Sequence, residues 1–151
     1  MKIIVLKFGG TSVGSLKKIE KVVKIVISYV KKKYKVIVVS SAMEGVTNEL
    51  LLKTQNIAKN FPEEEKDVIL STGEQIACAL IAGKLNDLGY KSRSWLGWQI
   101  PIITRGNYSS SRIIEIKKKN IINYIKEGGI PVITGFQGIN TDSRITTLER
   151  G

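Results

Sequence analysis

Four short segments carry side chains whose types and spacing suit chemistry. The first is Lys7-Phe8-Gly9-Gly10-Thr11-Ser12-Val13-Gly14. An apolar run hands a lysine and a double glycine to a helix start. Glycines let a backbone approach an anion closely, and the free N–H groups of a turn and helix start suit phosphate oxygens. Lys7 adds a mobile positive charge of the kind that stabilises a phosphoryl group in transfer. Two commoner templates do not fit. Gly9 and Gly14 have P-loop spacing, but Ser15-Leu16 follows where Lys-Ser/Thr is required, and G-x-G-x-x-G is absent. A plain glycine turn after a strand remains the competing explanation.

The second segment is Ser40-Ser41-Ala42-Met43-Glu44-Gly45-Val46-Thr47-Asn48, beyond the carboxyl end of a second apolar run. Ligands of open parallel sheets sit at that end of the strands, and hydroxyls there suit a carboxylate or phosphate. Equally, this is an ordinary loop with Thr47 as a helix cap. The third is Ser71-Thr72-Gly73-Glu74-Gln75. Glu74 reads as an acid at a helix start, where the dipole favours it in any case, or as a partner for a ligand ammonium. The fourth is Thr134-Gly135-Phe136-Gln137-Gly138, followed by Thr146-Thr147-Leu148-Glu149-Arg150-Gly151. Arg150 could hold a carboxylate bidentately. Cys78, among Ala77, Ala79, Leu80 and Ile81, reads as core packing, and Trp95 and Trp98 read the same way.

The elements that must position these segments follow from periodicity. Residues 3–8 and 36–40 are short apolar runs of buried-strand type. Between them, Ser15 can cap a helix whose apolar positions Leu16, Ile19, Val22, Val23, Val26, Ile27 and Val30 recur at helical spacing. This is a βαβ unit, expected in a parallel sheet covered on both faces. Thr47 is expected to cap a helix to about residue 60, broken by Phe61-Pro62. Residues 63–71 read as a short helix and 72–88 as a longer one, with Gly89 as its stop. Residues 90–95 and 99–104 read as strands, the polar stretch at Ser111 and Arg112 as a loop, and 116–126 as a basic helix. Residues 130–134 form a third buried-type strand, and 139–148 a polar hairpin containing Asp142. No repeat or linker divides the chain, so residues 1–151 are expected to form one unit.

Composition narrows the function classes. The 151 residues contain no histidine and one cysteine. Imidazole bases, His-ligated metals, internal disulfides and Cys clusters are therefore excluded. The net charge is +11, but the basic residues are 19 Lys and 5 Arg, beside 23 Ile. A joint Lys and Ile excess points to composition bias rather than to a nucleic-acid partner, whose readout favours Arg. No apolar stretch approaches about 18 residues, and the start is too short for a signal peptide. The expectation is a cytoplasmic protein with neither a membrane nor a nucleic-acid partner.

Taken together and in order, KFGGTSVGS, VVSSAMEGVTNEL, STGEQIACAL, SWLGWQIPIIT, ITGFQG and ITTLERG resemble the N-terminal part of aspartokinases, in the amino-acid kinase family. The resemblance covers essentially the whole chain. It implies an α/β fold, a three-layer α/β/α sandwich on a largely parallel sheet. It implies ATP-dependent phosphorylation of the L-aspartate side-chain carboxylate, the first step towards lysine, threonine and methionine. Matched position by position, Lys7 would contact phosphates and stabilise the transition state. Gly9, Gly10 and Thr11 would also contact ATP, with Ser41 on the nucleotide side. Thr47 and Glu74 would bind aspartate, Glu74 through its ammonium, and Arg150 would hold a substrate carboxylate. Mg²⁺ would arrive with ATP and need no protein cage. Glutamate, acetylglutamate and uridylate kinases are the family alternatives.

Two departures from the family pattern matter. Glu149 stands where members of the family typically carry glycine in TTLGRGGSDT, bringing negative charge near a polyphosphate. The motif's serine and aspartate, the nucleotide-side half and the ACT modules fall outside these 151 residues. The expectation is a truncated, split or decaying kinase, or a fragment of a longer one, inactive by itself. It would be completed by a complementing chain or an oligomer, or persist as a ligand-binding remnant. Residues 130–134 would then leave an open sheet edge.

Overall fold

The opening strand–helix–strand unit forms where its periodicity predicts, in a computed structural model that describes residues 2–149. Strands β1 (Ile3–Phe8) and β2 (Lys35–Ser40) pair in parallel, Ile3 opposite Lys35 and Phe8 opposite Ser40. Helix α1 (Leu16–Lys31) joins them. Ser15 caps it, its side chain accepting the Lys18 N–H at 3.2 Å, which satisfies one of the donors a helix start leaves free. Ile19, Val22, Val23 and Val26 are buried, and Lys17, Lys18, Lys21 and Lys24 face solvent.

The remaining elements are α2 (Val46–Ile57), α3 (Glu63–Asp87), β3 (Ser92–Trp95), β4 (Ile102–Arg105), β5 (Arg112–Ile116), α4 (Lys119–Lys126), β6 (Ile130–Thr134), β7 (Gln137–Ile139) and β8 (Ile145–Thr147). One sheet is wholly parallel, in the order β1-β2-β6-β3, and a second, mixed sheet runs β5-β4-β7-β8. Alternation along the strands divides the core in two. Val36, Val38, Ile130 and Val132 pack with α1 and α3 on one face of the parallel sheet. Ile37 and Ile133 pack with Trp95, Ile100, Ile102 and the α4 residues Ile121 and Ile125 on the other. Helices thus lie on both faces, as in a three-layer α/β/α sandwich.

Cover is incomplete on the α4 side. Ile3 and Val5, on the outward face of β1, are 40% and 57% exposed, so the expectation of a sheet covered on both faces fails at that edge. Strand β6 is interior, because β3 returns beside it with Ser92 opposite Ile130. The expected open edge at residues 130–134 is therefore corrected: the edges are β1 and β3.

Other expectations change for local reasons. Residues 63–71 and 72–88 are one helix, α3, of 25 residues. The Ser71 and Thr72 hydroxyls donate back to the Val68 and Ile69 carbonyls, each at 2.7 Å, instead of capping a new helix. Helix α2 begins at Val46 with Gly45 as N-cap, in the left-handed conformation at φ 83°, so Thr47 is not a cap. The polar stretch at Arg112 is strand β5, antiparallel to β4, with exposed residues throughout, and α4 starts at Lys119, not 116. Trp98 is 47% exposed and is not core packing, whereas Trp95 is buried and meets Tyr124 edge-on. Helix α3 is long and apolar enough to reach membrane-span length, with a mean hydropathy of 1.3 over 18 residues. Half of that stretch is buried in the protein, and the helix carries two buried carboxylates, Asp67 and Glu74.

Candidate active site

Glu74 lies in the middle of α3, not at a helix start, so the helix dipole does not account for its position. It is 3% exposed, and its Oε1 accepts the Ala42 N–H at 3.1 Å. Gly73 makes this approach possible. A Cβ there would meet the Ala42 Cβ at 2.8 Å and Val46 Cγ1 at 3.3 Å. Only a bare helix turn fits against the loop after β2, and the next side chain is thereby delivered to that loop.

The result is a cleft of about 310 Å³ lined by Gly10, Ser41, Ala42, Met43, Glu44, Gly45, Thr47, Asn48, Glu74 and Phe136. Four of the residues singled out from sequence meet there: Gly10, Ser41, Thr47 and Glu74. Ser41 is fixed by its N–H, which donates to the Phe8 carbonyl at 3.0 Å and ties the cleft floor to β1. Gly10 packs tightly beneath, since a Cβ would sit 3.2 Å from the Ala42 carbonyl oxygen. A Cβ on Gly9 would meet nothing within 4 Å, so that backbone is open to an incoming group. Thr11 is exposed in the single 3-10 turn Gly10–Val13 and does not line the cleft.

Lys7 lies outside this cleft. It borders a second cavity of about 430 Å³ on the open sheet face, with an apolar floor including Val5, Ile37, Val39 and Ile133, and with Gly135 and Phe136 at one end. Lys7 is exposed and makes no ion pair among the described residues. Phe136 borders both cavities. It holds φ at 65°, which bulky residues rarely adopt. A larger cavity of about 610 Å³, between β3 and α4, holds none of these residues.

Arg150 lies outside the described residues. Its neighbour Glu149 accepts from Arg112 Nε at 3.3 Å and Nη2 at 3.2 Å. The negative charge expected at this position is present and forms an exposed ion pair with Arg112 of β5. Among the described residues, no group of three or more acidic, Cys or His side chains is placed to hold a metal. Cys78 is fully buried, one helical turn after Glu74, and burial together with the Glu74 charge pushes its thiol up to about 12. It is core packing, not a nucleophile.

Two residues of the cleft and one buried acid outside it escaped the sequence reading. Glu44 and Phe136 lay inside motifs but were not singled out. Asp67 gave no signal, because its partners are Ser109 and Thr147, 42 and 80 residues away.

Comparison with known proteins decides the lineage. The model of the amino acid kinase family matches residues 2–150. The chain belongs to the amino acid kinase family. It is 44% identical over 151 residues to an aspartokinase of Geobacillus stearothermophilus, covering all of this chain and 37% of that protein. It is 42% identical over 156 residues to an aspartokinase of Rickettsia conorii, covering 38% of it. Among solved structures, aspartate kinase from Synechocystis matches all of this chain with a TM-score of 0.81 and 36% identity, over 24% of its own length. E. coli aspartokinase III in complex with aspartate and ADP matches with a TM-score of 0.82 over 44% of its length. At 20% identity that likeness supports the fold alone. The chain therefore spans less than two fifths of the curated relatives it matches.

Proposed function

We propose that this chain supplies the N-terminal, acceptor-binding part of the kinase domain of an aspartate kinase, which transfers the terminal phosphoryl group of ATP to the side-chain carboxylate of L-aspartate. The product would be 4-phospho-L-aspartate, at the entry to lysine, threonine and methionine synthesis in the cytoplasm. The observation that carries the proposal is the buried Glu74 carboxylate at the wall of a cleft shared with Thr47 and Ser41. A carboxylate held in a largely desolvated cleft favours a ligand ammonium more strongly than an exposed one does. Identity of 44% with the Geobacillus stearothermophilus aspartokinase and of 36% with the Synechocystis aspartate kinase supports aspartate as the acceptor.

The residues present suit the nucleotide phosphates. Lys7, which makes no ion pair among the described residues, offers a positive charge in the cavity that Phe136 also borders, and Gly9 leaves its backbone approachable. In phosphoryl transfer such groups act by positioning and by offsetting the charge that develops on the transferred oxygens. Thr11 is the hydroxyl nearest in sequence to that backbone, and Arg150 would add a guanidinium for a substrate carboxylate. Mg²⁺ would be carried by the ATP phosphates and water, since the described residues build no cage for it.

Turnover in this proposal needs the length that relatives carry beyond the matched part, supplied in the same polypeptide or by a complementing chain. The test has two stages. L-aspartate added to the isotopically labelled chain should shift the amide signals of Ala42, Thr47 and Glu74, and L-glutamate should do so more weakly. With ATP, Mg²⁺ and aspartate, hydroxylamine should trap acyl phosphate when the remaining length of a relative is supplied, and not with residues 1–151 alone. Stronger shifts with glutamate would reassign the acceptor.

A further inference from the structure

We infer that Asp67 is a positioning residue for the acceptor cleft, acting through strand β8 to hold Phe136 against it. This rests on assigning the Glu74 cleft as the acceptor site.

Asp67 is fully buried on α3. Its carboxylate accepts the Ser109 N–H at 3.1 and 3.0 Å and the Ser109 hydroxyl at 3.0 Å. It also accepts the Thr147 N–H and the Thr147 hydroxyl, each at 2.7 Å. Every donor is neutral, and no lysine or arginine pairs with it among the described residues. A buried carboxylate without a cation is costly unless its oxygens are fully hydrogen-bonded. Here the hydrogen bonds converge from two separate segments, so the charge holds both to one point on the helix.

What Asp67 holds leads directly to the cleft. The residue after Thr147, Leu148, donates its N–H to the Phe136 carbonyl at 2.9 Å. Thr147 itself is the register partner of Gln137, and the Gln137 amide donates to the Ser71 carbonyl on α3 at 3.0 Å. The β7–β8 hairpin is therefore fastened to α3 at Asp67 and at Ser71. Phe136 occupies the left-handed region at φ 65°, a conformation that persists in a bulky residue only when its surroundings over-determine it. Asp67 and Glu74 are seven residues apart, about two helical turns, on one side of the same helix. One helix thus sets both walls: Glu74 directly, and Phe136 through Asp67, Thr147 and Leu148.

The test uses the labelled 151-residue chain with Asp67→Asn, which keeps the side-chain volume but presents an NH₂ to a site full of donors. Thr147→Val is the milder companion, removing one hydroxyl donor should Asp67→Asn fail to fold. Two readouts are taken: hydrogen exchange of the Leu148 amide with the Phe136 ring signals, and the dissociation constant for L-aspartate. In the folded variant, Leu148 protection should fall, the Phe136 ring signals should move, and aspartate affinity should drop by about tenfold, the order expected for losing charged hydrogen bonds. Thr147→Val should shift both readouts in the same direction by less. Unchanged Leu148 protection and Phe136 signals in a folded variant would overturn the inference, as would aspartate affinity within about twofold of the parent, a difference too small for a lost positioning contact. If the unaltered chain binds no aspartate, the assignment of the cleft fails. The exchange and ring signals then still decide whether Asp67 holds Phe136.

Discussion

The Glu74 carboxylate receives the Ala42 backbone N–H at 3.1 Å across 32 residues of chain. One oxygen of the residue proposed to meet the substrate ammonium therefore also secures the loop after β2, joining the cleft wall to its floor.

Glu74→Ala should then have two separable effects. Leaving the buried Ala42 N–H without its acceptor should cost about 1–3 kcal/mol of stability, read as a lower urea midpoint for the 151-residue chain. In a kinase completed with the remaining length of a relative, loss of the ammonium partner should cost roughly 2–5 kcal/mol in the use of aspartate. A normal dependence of rate on aspartate concentration would dismiss Glu74 as the ammonium partner.

Gly73→Ala tests the close approach that delivers Glu74. The added methyl would lie 2.8 Å from the Ala42 Cβ, so helix and loop must separate. Overpacking of this kind costs about 1–3 kcal/mol. The double variant Gly73→Ala/Ala42→Gly should recover part of the loss, because it removes the atom that is struck. Equal stability of parent and Gly73→Ala would show that the contact yields freely.

Lys7→Ala should separate folding from turnover. The side chain is exposed and holds no ion pair among the described residues, so the unfolding midpoint should shift by no more than the equivalent of about 0.5 kcal/mol. Hydroxamate formation in the completed kinase should be abolished. Near-normal turnover would return Lys7 to the role of a solvating lysine at the end of β1.

Cys78 should resist thiol reagents at pH 8 in the folded chain and react fully once denatured. Its thiol is raised from 9.0 to about 12 by burial, then by the Glu74 charge, so the reactive thiolate is scarce in the fold. The sign for stability follows. The folded state keeps the proton to higher pH than the unfolded state, so the contribution is complete below pH 9 and is lost as pH rises from 9 towards 12. Comparing the pH slope of the parent with that of Cys78→Ala isolates this effect from the many lysines. Matching slopes would contradict the raised thiol.

What could be read from sequence follows the range of the forces involved. The β1–α1–β2 unit was legible because apolar spacing and the Ser15 cap are local signals. Ser71-Thr72-Gly73 misled because hydroxyls and glycine mimic a helix boundary, whereas here the hydroxyls bond back into the helix and the glycine meets a distant loop. Strand β5 was hidden because all its residues are exposed, so no buried face imposed a pattern. Of the cleft residues, Gly10, Ser41 and Thr47 lie in motifs beyond strand ends and Glu74 in the STGEQ segment, and it was the resemblance to aspartokinases that singled them out. Asp67 and the left-handed Phe136 were not, because both depend on contacts that only the folded chain creates.

Phe136 borders both the Glu74 cleft and the cavity that holds Lys7. Where the proposed acceptor and nucleotide both pack against Phe136, a shift of that residue by one ligand changes the affinity for the other, and the factor is the same in either direction. In the completed enzyme, acceptor and nucleotide would then not be titrated as independent quantities. A dissociation constant for aspartate taken without nucleotide would describe a different equilibrium from one taken at saturating nucleotide, and the ratio of the two would measure what this single aromatic wall transmits.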